Sequence, residues 1–269
     1  MIGHIRELIT YRELIWNLTL RELKTRYKGS ILGFFWGLLS PLAMMLVFTF
    51  VFTVMMPNTQ VENFPIFVLT GLLPWNFFTS GVMGGISSVV ANGNLVKKVY
   101  FPREVLPTAS VLSSMINFLL ALVVLALALL VFGAKISPWI WLLPLIILVQ
   151  TVLILGIVLF LCTVNVFYRD TLMIVDVVML ASFFLTPVFY PIDILPKNYD
   201  LWGVTLDIHR WVRILNPMAS LITAYRDLFY YGYRTEIYFL LRTIATSIVF
   251  LGLGYWFFLR FSGRFGEEV

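Results

Sequence analysis

From Ile31 to Met56 no charged side chain interrupts the chain, a run of 26 residues set directly behind Arg21, Lys24, Arg26 and Lys28 with the single acid Glu22. At 1.5 Å rise per residue, a helix of that length is roughly 39 Å long, more than the roughly 30 Å of a bilayer core. A basic collar against a long apolar helix fixes the cytoplasmic side of a membrane protein. The same alternation continues down the chain. A second span is predicted at about 66–92, inside the charge-free stretch 63–96 and rich in glycine (Gly71, Gly81, Gly84, Gly85), which lets helices approach closely in lipid. A third is expected at 108–133 and a fourth at 139–166, opened at the interface by Trp139 and Trp141; the last lies at 237–259.

Two apolar stretches are too short for a comfortable crossing. Residues 177–192 are closed by Pro187 and Pro191, and 214–225 spans only twelve residues. Together they predict a fifth span ending in a proline-broken, re-entrant hairpin before the last span. Upstream, Ile5, Leu8, Ile9, Ile15, Trp16, Leu20, Leu23 and Tyr27 recur at spacings near three and four among basic residues, which predicts an amphipathic interfacial helix over 4–29. The expected fold is therefore all-α and polytopic, with six transmembrane helices in one permease-like domain over 1–269: the interfacial helix in 1–30, five spans in 31–192, an outer segment 193–236, and the last span with its tail in 237–269. No cleavable signal peptide is expected, because residues 1–30 are polar and charged.

Composition agrees: 60% of residues are hydrophobic and 12% charged, about half the charge of a soluble domain, with a mean hydropathy of +0.93. The distribution of Lys and Arg says more than the net +5. Twelve fall in segments that six spans place on the side of the termini and seven on the other, so both termini are expected to be cytoplasmic. Cys162 is the only cysteine and excludes a disulfide within the chain.

The candidate chemistry is sparse. Only Asp176 and Arg242 could lie at membrane depth, whereas ion-coupled transporters need intramembrane carboxylates, histidines or lysines. His4 and His209 are not at metal-ligand spacing with any Cys or carboxylate, and no catalytic or metal site is expected. Asp170 and Asp176 fall on different helix faces, and Asp207, His209 and Arg210 read as a surface turn. There is no G-x-x-x-x-G-K-[ST] phosphate loop, so uphill work would need ATP spent on another chain. Loop 93–107 offers a place to dock one: Val99, Tyr100, Phe101, Pro102, Arg103 and Glu104 put apolar side chains beside charge, the pattern of a partner-binding knob.

Residues 24–41 carry Lys24, Arg26, Tyr27, Lys28, Ser30, Leu32, Gly33, Trp36 and Pro41 in the pattern K-x-R-Y-K-x-S-x-L-G-x-x-W-x-x-x-x-P. This resembles the first-span motif of type-2 ABC exporter permeases, closest to the group that exports teichoic acid, lipopolysaccharide O-antigen and capsule. FPREVLP at 101–107 is similar to that family's second cytoplasmic segment and LNPM at 215–218 to its outer region. The resemblance implies a homodimer bound to two copies of a cytoplasmic ATPase, which would hold the ATP and Mg while this chain carries no cofactor. It implies a bacterial cytoplasmic membrane, no nucleic-acid partner, and a substrate polymer on an undecaprenyl diphosphate carrier. Residues 99–104 would form the coupling segment, and Phe101→Asp would detach the ATPase without unfolding the membrane domain. Arg21, Lys24, Arg26, Tyr27 and Lys28 would meet the lipid headgroup, where Arg suits phosphate oxygens and Lys acts as a point charge, besides anchoring the chain to anionic lipid. Phe34, Trp36, Trp75 and Phe78 would offer flat faces along a sugar path. A membrane-embedded transferase or lipid-modifying enzyme, or a type-2 exporter of small molecules, are the alternative readings.

Overall fold

The computed structural model describes residues 10–26, 28–55, 61–132, 137–196, 199–201 and 204–269. Helix α1 (Arg12–Arg26) is followed by a turn in which Gly29 (φ 81°) and Gly33 (φ 49°) take left-handed conformations that L side chains resist. The turn leads into α2 (Trp36–Phe50), which carries Pro41 and ends in a π-turn over Val51–Met55. Helix α3 (Phe64–Ala91) starts behind Asn63, whose φ of 48° lets Pro65 enter the first turn. Short α4 (Gly93–Lys98) and long α5 (Val105–Val131) flank the basic loop. A 3₁₀ turn at Pro138–Leu142 opens α6 (Leu143–Phe167), and α7 (Thr171–Leu185) follows.

The outer segment folds as a small two-stranded antiparallel ribbon, β1 (Tyr199–Leu201) and β2 (Val204–Leu206), pairing Tyr199 with Leu206. Then come α8 (Ile208–Leu215) and α9 (Pro217–Arg226), broken at Asn216-Pro217, a π-turn over Asp227–Tyr231, α10 (Ile237–Ser262) and α11 (Phe265–Glu268).

The architecture is all-α and polytopic, as expected, apart from the short ribbon. Among the described residues five helical segments are long and apolar enough to cross a membrane, starting at Trp36, Phe64, Val105, Pro138 and Ile237. The sixth predicted crossing falls short. Its helix runs from Thr171 to Leu185, six residues earlier than the apolar run suggested, because Asp176 sits exposed within it. Fifteen residues make roughly 22 Å of helix. Thr186 leaves helical geometry at the Pro187 boundary, since a residue before proline is driven to extended conformation.

Helix α3 is the hub. Its apolar window is 78% buried, packed by α2, α5, α6, α7 and α9, whereas only 6% of the first span's window is buried. Helices α6 and α10 meet at Gly156 and Gly254, so closely that a Cβ on Gly254 would overlap the Gly156 carbonyl. A second cluster sits at one end of the bundle, where Leu18 of α1, Val89, Phe101, Val105, Val166, Phe258 and Phe265 pack together. Both ends of the described chain therefore lie on one face.

Candidate functional site: a docking face and a polar cavity

The loop between α3 and α5 separates its apolar trio. Tyr100 is 92% exposed and Val99 about half exposed, while Phe101 is only 9% exposed and packs in the terminal cluster. Pro102 and Arg103 are half-buried, and Glu104 is buried at the start of α5. The Arg103 guanidinium lies 5.9 Å from the Phe265 ring centroid, and Gly93 faces Val269, so the tail is folded onto this loop. The knob is thus an exposed pair held by a buried aromatic peg. Phe101→Asp would bury a carboxylate and damage the peg itself, so the docking test falls on Tyr100 instead.

Helix α1 does not lie free in an interface over its described length. It packs along the start of α5, where the Thr19 hydroxyl donates to the Ile15 and Ala109 carbonyls (2.7 and 3.4 Å) and Ser110 donates to Glu22 Oε1 at 2.7 Å. Its buried side is partly polar, with Leu18 and Thr19 both covered. The basic collar divides accordingly. Arg21 donates to Asn92 Oδ1 at 2.5 Å, a bond that caps α3 rather than leaving the charge for a ligand. Lys24 and Lys28 are exposed, and Tyr27 lies outside the described residues.

Arg26 alone of this group reaches a cavity, of about 340 Å³, enclosed by α2, α3 and α5. Uncharged polar side chains line it, among them Asn76, Thr79 and Asn117, with the stacked rings of Phe77 and Phe118 (centroids 5.0 Å apart). None of these polar residues was singled out by sequence. The signal available was a helical spacing of small polar residues, Asn76, Thr79, Ser80 on one span and Ser114, Asn117 on another, which is also how lipid-buried helices simply pack.

The predicted aromatic path is not assembled within one chain. Trp75 and Phe78 are buried and tilted against each other at 5.6 Å, with Phe183 against Trp75. Trp36 is half exposed at the start of α2, and the side chain of Phe34 lies outside the described residues.

At the other end of the bundle, arginines hold the re-entrant helices. Arg226 donates to the Pro187 and Val188 carbonyls at 2.6 and 2.5 Å and stacks 3.7 Å over Phe67. Arg242 donates to the Arg213 carbonyl at 3.1 Å and to that of Ile214, capping α8. Tyr225 donates to Gln150 Oε1 at 2.8 Å, and Gln150 donates to the Pro74 carbonyl at 2.8 Å. Asp207 accepts from the Arg210 amide at 3.0 Å as the cap of α8, and His209 lies 3.6 Å from Asp193. These residues form a surface turn, as the sequence predicts. Burial pushes the Asp227 carboxyl up to about 7; Arg213 opposes the shift and Glu236 adds to it.

A bundle of apolar helices with a docking face at one end, a mid-bundle cavity and folded-back outer helices defines a multi-pass membrane transport subunit. Comparison with known proteins makes the class definite: the family model described as "ABC-2 type transporter" matches residues 13–230, and the chain belongs to that family. It is 38% identical over 255 residues to the O-antigen export system permease protein RfbA of Myxococcus xanthus, covering 93% of each chain. It is 32% identical over 261 residues to the protein of that name from Klebsiella pneumoniae, covering 95% of this chain and 94% of the relative. The polysialic acid transport protein KpsM of Escherichia coli is 26% identical over 248 residues, covering 88% of this chain and 90% of the relative.

Proposed function

We propose that this chain is the permease half of an ATP-driven exporter that moves a lipid-linked surface polysaccharide outward across the bacterial cytoplasmic membrane. The observation that carries the reading is similarity over nearly the whole chain to permeases named for O-antigen export. Two copies pair, each with a cytoplasmic ATPase that binds ATP and Mg. Pairing is supported by the first span, which one chain leaves almost wholly unburied, and by the exposed apolar side of α7 (Met173, Ile174, Val177, Leu180). The polymer rides on a polyprenyl diphosphate carrier, and the exposed cations Lys24, Arg26 and Lys28 meet its phosphates. Both termini face the cytoplasm, in keeping with the bias of Lys and Arg.

Tyr100 and Val99 are the ATPase contacts, and Phe101 is the peg that carries their movement into the bundle. Tyr100→Asp is expected to abolish co-purification of the ATPase and surface display of the polymer while the permease keeps its thermal stability. An intact complex with that variant overturns the docking assignment. Purified alone in vesicles, the chain is expected to hydrolyse no ATP and to drive no uphill transport. Either activity from the lone chain overturns the whole reading.

A further inference from the structure

We propose that the cavity between α2, α3 and α5 binds the first, phosphate-bearing sugar of the exported lipid, so that each chain carries its own sugar subsite. The inference rests on the export reading above and adds to it a site that lies inside one protomer. Three features of the cavity carry it. First, its charge is one-sided: Arg26 is the only charged lining residue among the described residues, so the cavity suits an anion at its mouth and offers no carboxylate to a cation. Second, two of its hydroxyls are unsatisfied. Thr79 Oγ1 and Ser114 Oγ are buried without a partner among the described residues, and Ser114 is 1% exposed. A buried hydroxyl without a partner is costly, and a ligand that brings hydroxyls of its own relieves the cost. Third, the Phe118 ring, stacked on Phe77, supplies a flat apolar wall of the kind that sugar C–H faces pack against.

Size narrows the ligand further. About 340 Å³ is near the lower end of the roughly 300–1,000 Å³ that ligand pockets occupy, so the space suits one sugar ring rather than a chain of them. Arginine for phosphate, amide and hydroxyl side chains for sugar hydroxyls, and an aromatic wall, all in one small cavity, match a sugar phosphate better than a lipid tail, a metal ion or a free inorganic phosphate. The site would then read the unit joined to the carrier, not the repeat that makes up the polymer.

The full-length permease in lipid nanodiscs is titrated with two synthetic probes, a polyprenyl diphosphate carrying a single N-acetylhexosamine and the same lipid without sugar. Net hydrogen bonds of ordinary strength from two or three hydroxyls predict that the glycosylated probe binds about tenfold more tightly. Thr79→Val combined with Asn117→Leu is expected to erase that preference while leaving the bare lipid's affinity unchanged, and Arg26→Gln to weaken both probes alike. Equal binding of the two probes by the unaltered protein overturns the inference without needing any variant, and so does a preference that survives the double substitution. If neither probe binds and no ATPase co-purifies, the export reading fails first and the subsite fails with it.

Discussion

Removing the guanidinium of Arg226 tests what holds the re-entrant hairpin in place. Its two short bonds, to the carbonyls of Pro187 and Val188, are charge-assisted, worth about 1.5–3 kcal/mol each; a third, to Tyr190 at 3.4 Å, is long enough to add little. Against this gross gain of about 3–6 kcal/mol stands the cost of desolvating a guanidinium that is 3% exposed, part of which the stack on Phe67 returns. Arg226→Met keeps the stem packing but leaves both carbonyls unpaired, so the net loss is about 3 kcal/mol. At about 3 °C per kcal/mol for a chain of this size, the thermal midpoint falls by about 8 °C. Arg226→Lys, with one compact charge in place of a fork that reaches two carbonyls, falls between the two. Scanning fluorimetry of the purified protein reads the midpoint, and hydrogen exchange at 186–190 reads the local consequence, because those carbonyls end the broken fifth helix. Exposed Arg210→Met is the control. An Arg226→Met protein that melts with the unaltered one, with unchanged exchange at 186–190, refutes the clamp.

Gly254→Ala forces α10 away from the Gly156 carbonyl and is expected to cost about 2–3 kcal/mol, whereas Gly252→Ala, two residues earlier with open space around its Cβ position, is neutral or stabilising by up to about 1 kcal/mol; comparable melting of the two variants contradicts the close packing. Tyr225→Phe leaves Gln150 Oε1 without its donor inside the bundle and is expected to lower stability by about 1–2 kcal/mol in the same melting assay. Asp227 gives a pH signature. Its folded value of about 7 exceeds the ordinary 3.8, so between about 4 and 7 the folded form holds a proton that the unfolded form has released, and stability falls as pH rises through that window. Asp227→Asn is expected to remove this slope and to stabilise the protein at pH 8 by on the order of 3 kcal/mol; parallel pH–stability curves for the two proteins contradict it.

The long helices were legible because lipid imposes one strong rule: a segment without water must be apolar and must satisfy its own backbone. That rule placed the first four spans and the last to within a few residues. It failed at α7, where Asp176 was read as a boundary although an exposed acid one and a half turns inside a short helix can stay near the interface. The break at Asn216-Pro217 was visible in outline as a short apolar segment, but the arginines that fix it were not. Arg226 and Arg242 read as loop and span-end charges, and only the tertiary fold brings backbone carbonyls from thirty or more residues away within their reach or close to it. The docking loop was legible in composition and not in direction. A run of Val99, Tyr100 and Phe101 says that something apolar is presented; which of the three turns inward depends on Phe258 and Phe265, more than 150 residues downstream. The cavity was illegible for a similar reason, since small polar residues on separate spans become a site only when three helices leave a gap.

The anchoring of that loop decides how movement at the docking face can spread. Were the loop tied only to its own flanking helices, a push on Tyr100 would act on α3 and α5 alone. Instead Phe101 is packed with Phe258 and Phe265, Arg103 lies over Phe265, and Val269 closes against Gly93, so the loop is continuous with the end of α10 and, through Phe167, with the end of α6. Helices α6 and α10 in turn are locked at Gly156 and Gly254 without side chains between them. Close-packed interiors transmit displacement rather than absorb it. A push at Tyr100 is therefore shared by four long helices, and α2, hardly buried by the rest of the chain, is the span left free to move against them. The cavity lies at that boundary, with one wall on α2 and two on the packed body, so relative motion of α2 alters its volume directly. The geometry thereby joins the docking face to the polar cavity through the packing of the bundle, without requiring any ionisable group inside the membrane to carry the coupling.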